Sequence, residues 1–268
     1  MLQNFRHDFR IYRKSLIVQF HAAAALRGAF AMQILGMMVN NTAIIIAWVF
    51  FFGKFGTVNG WSVHELIGLN AIMMMVFGSM MLLSTGVLDL PKHVDQGSFD
   101  TFLTRPSSVL GQLASSNIDV TAFGDFILGV ILTVWFVATS HASLLGILLF
   151  FISLMIACVV FWSFAILLPN IISFYVFDGD RLVRYFAYIF LDAALYPTGV
   201  LRGALRTILL VGLPSLFIGA VQVDILRGLH WELVAVGAAL ASFWLWFSLW
   251  LLKRSIRRYE SANLVGAR

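Results

Sequence analysis

Residues able to do chemistry are few in this sequence, and their spacing denies most of the reactions they suggest. His64-Glu65 opens the pattern H-E-x-x-H, in which two histidines one helical turn apart hold zinc and the glutamate activates water. Position 68 is Gly, so the second ligand is missing. Gly53-Lys54 would close a phosphate-cradling G-x-x-x-x-G-K-[ST] loop, but Phe55 stands where the hydroxyl belongs. The six histidines are scattered without ligand spacing, and no metal site is expected. Cys158 is the single cysteine, which leaves no intrachain disulfide and no thiolate cluster. Asp89, Asp119, Asp125 and Asp192 stand alone, where acid–base catalysis would want a pair. No catalytic constellation emerges, and the chain is not expected to be an enzyme.

The elements that carry these residues are apolar. Of 268 residues, 60% are hydrophobic and 12% charged, with a mean hydropathy of +0.91. A soluble domain needs about 25% charged residues to build its polar shell. The chain therefore belongs in a bilayer. A net charge of +5 and a pI near 9.7 would suit nucleic acid, but the bases cluster beside apolar segments: Arg6, Arg10, Arg13 and Lys14 at one end, Lys253, Arg254, Arg257 and Arg258 at the other. That is the distribution the positive-inside rule produces, and no nucleic-acid partner is expected.

Apolar segments lie near 29–52, 65–90, 119–140, 143–169, 182–200, 205–222 and 231–252. Each is long enough to reach across or into about 30 Å of hydrocarbon, and must be helical there. Both termini and the loops at 91–118 and 178–184 carry bases and read as cytoplasmic, whereas Ser140-His141-Ala142-Ser143 has no Lys or Arg and reads as external. Two cytoplasmic ends require an even number of crossings, so one segment turns back. The segment 205–222, broken by Gly212 and Pro214, fits a pair of half-helices. The expectation is an all-α polytopic membrane protein with six transmembrane helices and a re-entrant region at 203–227. Ahead of the first span, Leu2, Phe5, Phe9, Tyr12, Leu16 and Phe20 trace one helical face, giving an interfacial elbow helix within 1–28.

A span-embedded Asp costs about 2.5–3.5 kcal/mol on insertion scales, so it faces protein or water. Asp192, in mid-segment, is expected to pair with Arg184 or Arg202, or else to line a pathway. Asn40 and Asn41 are candidates for interhelical hydrogen bonds or for the wall of a cavity. Met73, Met74, Met75, Met80 and Met81 make the second span adaptable, chiefly for lipid contact and packing. Trp48, Trp61, Trp231 and Trp250, near span ends, read as interface anchors.

The patterned polar loop runs from Leu90 to Ser108. Phe99, Phe102 and Leu103 fall at helical spacing after a Gly97-Ser98 cap, and Pro106 stops the helix. The pattern Gly97, Asp100, Leu103, Arg105, Pro106, followed by Gly111-Gln112-Leu113, resembles the loop of ABC-2 type permeases, specifically a bacterial subgroup that works with a second, similar permease. Tyr196-Pro197, Pro214 and the tail Arg257-Arg258-Tyr259-Glu260-Ser261-Ala262 extend the resemblance over essentially the whole chain. Asp178-Gly179-Asp180 and residues 263–268 have no counterpart in it.

The resemblance implies a permease subunit of an ATP-driven transporter in the cell membrane, with an elbow helix, a coupling helix and re-entrant helices. ATP and magnesium would be bound by a separate ATPase subunit, and no cofactor by this chain. Gly97, Phe99, Asp100, Phe102, Leu103, Arg105 and Pro106 are the expected ATPase-coupling residues, with Phe99, Phe102 and Leu103 filling a groove on the ATPase. Export, beside a second permease, is the expected direction, and the loop lacks the E-A-A-x-x-x-G element of importers. The alternatives are a secondary carrier or channel, which would want inverted repeats and paired intramembrane charges, or a membrane scaffold without transport.

Overall fold

A computed structural model describes residues 2–57, 60–176, 179–201, 203–228 and 230–259, and within them the chain is helix and loop with no strand. Helix α1 (Leu2–Ala24) leads into α2 (Arg27–Phe55) and α3 (Val63–Ser84), which passes through a 3-10 turn into α4 (Leu90–Asp95). Two short helices follow, α5 (Asp100–Leu103) and α6 (Val109–Ala114), before α7 (Thr121–Thr139) and α8 (Leu144–Val160). Beyond α8 come α9 (Leu168–Ile171), α10 (Gly179–Ala194), α11 (Gly203–Thr207), α12 (Ala220–Gly228) and α13 (Trp231–Ile256). Among the described residues, five helical runs are long and apolar enough to cross a bilayer: Arg27–Lys54, Val63–Asp95, Thr121–Thr139, Leu144–Phe174 and Trp231–Ile256. Their positions match five of the apolar segments read from the sequence.

The other two apolar segments fold differently. In place of 182–200, α10 has 16 residues, about 24 Å of helix, and the chain then breaks at Tyr196-Pro197. From α11 the backbone continues through a π-helical turn (Ile208–Gly212), kinks at Leu213-Pro214, and returns by a 3-10 turn (Ser215–Ile218) into α12. The hydroxyl of Thr198 donates to Asp224 at 2.6 Å, so this excursion starts and finishes at the same end of the molecule. Past the kink the irregular return is enclosed, with Ser215, Leu216, Phe217, Ile218 and Ala220 buried, while Ile208 and Val211 of the π turn stay exposed; the non-helical backbone lies where protein covers it. Gln222 holds it, donating to the carbonyls of Phe217 (2.7 Å) and Ser153 (3.2 Å).

Small residues let α2, α3 and α7 approach closely. A side chain at Gly78 would meet the backbone N of Phe126 at 2.6 Å, and one at Gly129 that of Met75 at 2.5 Å. This close contact substitutes for the hydrophobic drive that lipid removes. After α8, Pro169 supplies no N–H to the carbonyl one turn earlier, and the helix widens into a π turn over Phe161–Leu167. The Ser163 carbonyl within it accepts from the Ser248 hydroxyl of α13 at 2.9 Å.

Candidate functional site

The polar loop folds into a small structural unit of its own. Gly97 adopts φ +69°, a left-handed conformation that glycine takes without strain, and its turn reverses the chain between α4 and α5. The Phe99 N–H donates to the His93 carbonyl at 3.0 Å, and His93 Nδ1 lies 2.9 Å from the Ser98 hydroxyl. Ser98 is therefore not a side-chain cap for α5; Phe99 occupies the cap position instead. Leu90, Phe99, Phe102 and Leu113 form a separate core, closed by Val94, Val109, Phe174, Ile256 and Tyr259. Phe99 meets Phe174 and Tyr259 edge-on, with ring centroids 5.2 and 5.1 Å apart. Gln112 donates to the carbonyls of Ser107 (2.9 Å) and Phe102 (3.3 Å), bracing the stretch after α5.

This geometry corrects the expectation that Phe99 and Phe102 point at a partner. Both are buried within the chain, because the short α5 has only one apolar side and the ends of α9 and α13 lie beneath it. Leu103 is exposed, with Thr101, Thr104, Arg105 and Pro106 around it. Gly97 is buried in the turn and Asp100 half-buried. The Asp100 carboxylate lies beside Tyr259, and burial together with that negative charge pushes the Tyr259 hydroxyl above its ordinary pKa.

Helix α1 is fastened to the same unit. Tyr12 donates to the Leu83 carbonyl at 2.5 Å, Ser15 to that of Ser115 at 2.9 Å, and Gln19 to that of Ser116 at 2.7 Å. Phe9, Ile17, Val18 and Phe20 remain exposed on its other side. At Gly86, any side chain would come within 2.0 Å of the Leu113 carbonyl, so the turn after α3 rests directly on α6. Helix α1, the loop from α4 to α6 and the end of α3 thus form one braced platform.

Within the helices, the polar residues divide. Asn41 donates to Asp125 Oδ1 at 2.5 Å, joining α2 to α7. Its neighbour Asn40 is exposed on the outer face of α2. Asp192 is exposed on α10 and has no ion pair among the described residues: Arg184 forms its ion pair with Asp180, one turn earlier, and the other expected partner, Arg202, lies outside the described residues, as do Asp178 and residues 260–268. Asp89 holds Lys92 (3.0 Å) and Asn117 (2.9 Å), and Asp119 accepts from the backbone of Thr121 (2.9 Å). Among the described residues no group of His, Cys, Asp and Glu could hold a metal ion.

A family model described as ABC-2 family transporter protein matches residues 38–263. The chain belongs to the ABC-2 transporter family. No curated protein and no solved structure matches it. Membership makes this the membrane-spanning permease component of an ABC transporter, a kind of subunit that associates with an ABC ATPase.

At the far end of this ABC-2 permease sits a cluster that sequence reading missed. Arg227 binds both carboxylate oxygens of Glu65 and the carbonyl of Gly60, and lies over the Trp61 ring at 4.6 Å. Trp61 is 1% exposed, a packed platform for Arg227 rather than an interface anchor. Glu65 also completes a capping box with Ser62 at the start of α3. His64 reaches Thr139 at 2.7 Å. The suggestive His64-Glu65 pair is therefore explained by two separate contacts, one to α7 and one to α12. The available signal was Ser62-x-x-Glu65; nothing local pointed from Glu65 to Arg227.

Proposed function

We propose that the chain is one permease of an ATP-driven exporter, pairing with a second permease and driven through the platform by an ATPase subunit that binds the ATP and magnesium. The observation that carries this reading is the braced unit of α4–α6. Its aromatic side is turned inward onto α9 and α13, and its outward side offers Leu103 with Thr101, Thr104 and Arg105. A rigid connection of that kind transmits a push, because Phe99 and Phe102 cannot slide without disrupting their own core. Arg105 supplies a fixed positive charge for charge-assisted bonds to the ATPase.

The platform faces the cytoplasm in this reading, with both termini. Arg6, Arg10, Arg13, Lys14, Lys92, Arg105, Arg181, Arg184, Lys253 and Arg254 belong to the end that carries it. At the opposite end, the described bases are Lys54, Arg206 and Arg227, and Arg227 is neutralised by Glu65. The asymmetry agrees with the positive-inside rule. The second permease would cover α10, where Tyr185, Tyr188, Ile189 and Asp192 are exposed together. That face is too polar for acyl chains.

A cysteine at Leu103, cross-linked in native membranes, is the direct test. Capture of a nucleotide-binding subunit is expected, together with loss of cargo-stimulated ATP hydrolysis in Arg105→Glu. Hydrolysis unchanged in Arg105→Glu, with no cross-link from position 103, would overturn the coupling role.

A further inference from the structure

Between α2, α3, α7 and α10 lies a cavity of about 190 Å³. Its walls are mostly apolar, Met73 and Met74 from α3 and Leu191 from α10 among them, but three polar side chains converge on it: Asn41, Asn70 and Asp125. Asn70 is committed through its amide N–H to the Leu66 carbonyl (2.8 Å), and Asn41 to Asp125 Oδ1 (2.5 Å). Asp125 is 3% exposed, and its second oxygen, Oδ2, accepts no hydrogen bond from any described residue. A buried carboxylate with one amide donor and no cation is costly to keep. The chemistry that completes it is a positively charged N–H donor on an apolar body.

We propose that this cavity binds a small apolar molecule carrying one cationic amine, with the Asp125 carboxylate as the anchor and the methionines as the adaptable wall. The volume suits a substituted benzene: a dry apolar cavity of about 150 Å³ accommodates benzene itself. As a cargo class this rests on the permease reading above, whereas binding to the chain does not. Failure of binding leaves the ATPase coupling untouched, and failure of coupling leaves the cavity occupied.

The test is binding to the full chain in phosphatidylcholine nanodiscs, read by ligand-observed magnetic resonance with two matched probes, 2-phenylethylamine and its neutral isostere propylbenzene. The amine is expected to bind more tightly than propylbenzene. Asp125→Asn keeps the acceptor for Asn41 and removes the charge. It should weaken the amine about tenfold to a hundredfold, the worth of one charge-assisted hydrogen bond, and leave propylbenzene within about twofold. Leu191→Trp, on a different helix, fills the space and should abolish both without touching the Asn41–Asp125 pair. Adding phosphatidylethanolamine separates sources: competition assigns the amine to a lipid headgroup, and no competition to a free molecule. Equal affinity of both probes for the wild-type chain, or amine binding unchanged in both variants, overturns the proposal.

Discussion

Leu103 and Phe99 lie four positions apart in one loop and do opposite things, which makes them separable by substitution. Leu103 is exposed beside Arg105, and Phe99 is enclosed by Leu90, Phe102, Leu113, Phe174 and Tyr259. Leu103→Asp should leave the chain folded in the membrane and abolish cargo-stimulated ATP hydrolysis by the assembled transporter. Phe99→Ala should cost about 3–5 kcal/mol of local packing, seen as faster amide hydrogen exchange over α4–α6 while the long helices stay protected. Hydrogen exchange unchanged in Phe99→Ala would mean that the small core does not hold the loop. At the other end, Glu65 and Arg227 meet in a bidentate pair over Trp61. Glu65→Gln and Arg227→Gln should be non-additive in thermal unfolding, with a coupling energy of about 1–3 kcal/mol. Additive losses would show that Trp61 and the Gly60 carbonyl, rather than the carboxylate, hold Arg227.

At the scale of elements, close approach makes the next prediction. Gly86 sits where a side chain would press on the Leu113 carbonyl at 2.0 Å, whereas Gly36, on the outer face of α2, meets nothing within 4 Å. Gly86→Val should detach the platform from α3 and halve or abolish transport-linked hydrolysis; Gly36→Val should be silent in the same assay. Both variants behaving alike would disconnect that contact from coupling. The five long helices were legible in the sequence because hydrocarbon imposes one length and one backbone solution, and their ends were marked by bases and by the turn at 140–143, free of Lys and Arg, where Ser143 caps α8. Less legible were the faces. Spacing placed Phe99, Phe102 and Leu103 on one helix, but which of them turned inward depended on Phe174 and Tyr259, distant in sequence. The same holds for Asp125, whose partner Asn41 is 84 positions away, and for Trp61, which looked like an anchor until α12 laid Arg227 across it. The π turn over Phe161–Leu167 follows from Pro169, yet only the hydroxyl of Ser248 shows why it is tolerated.

At the scale of the whole molecule, α10 is the element that a single copy of the chain does not account for. Val183, Phe190 and Ala194 pack inward, while Tyr185, Tyr188 (64% exposed), Ile189 and Asp192 face away from the rest of the protein. Asp192 in contact with acyl chains would carry an insertion cost of about 2.5–3.5 kcal/mol, and it has no compensating ion pair among the described residues. Tyrosines and a carboxylate in a row suit a protein interface or the wall of a water-filled path between two permeases. On the paired-permease reading proposed above, both arrangements set α10 against the second subunit. A cysteine at Tyr188 should therefore cross-link in the membrane to another permease-sized chain, and the cross-link should change with nucleotide as the two subunits rock. Asp192→Arg should reduce recovery of the paired permeases about tenfold without lowering the amount of this chain in the membrane. If Asp192→Arg pairs as well as the natural sequence and position 188 cross-links to nothing but lipid, α10 lies at the periphery and the translocation path must run elsewhere.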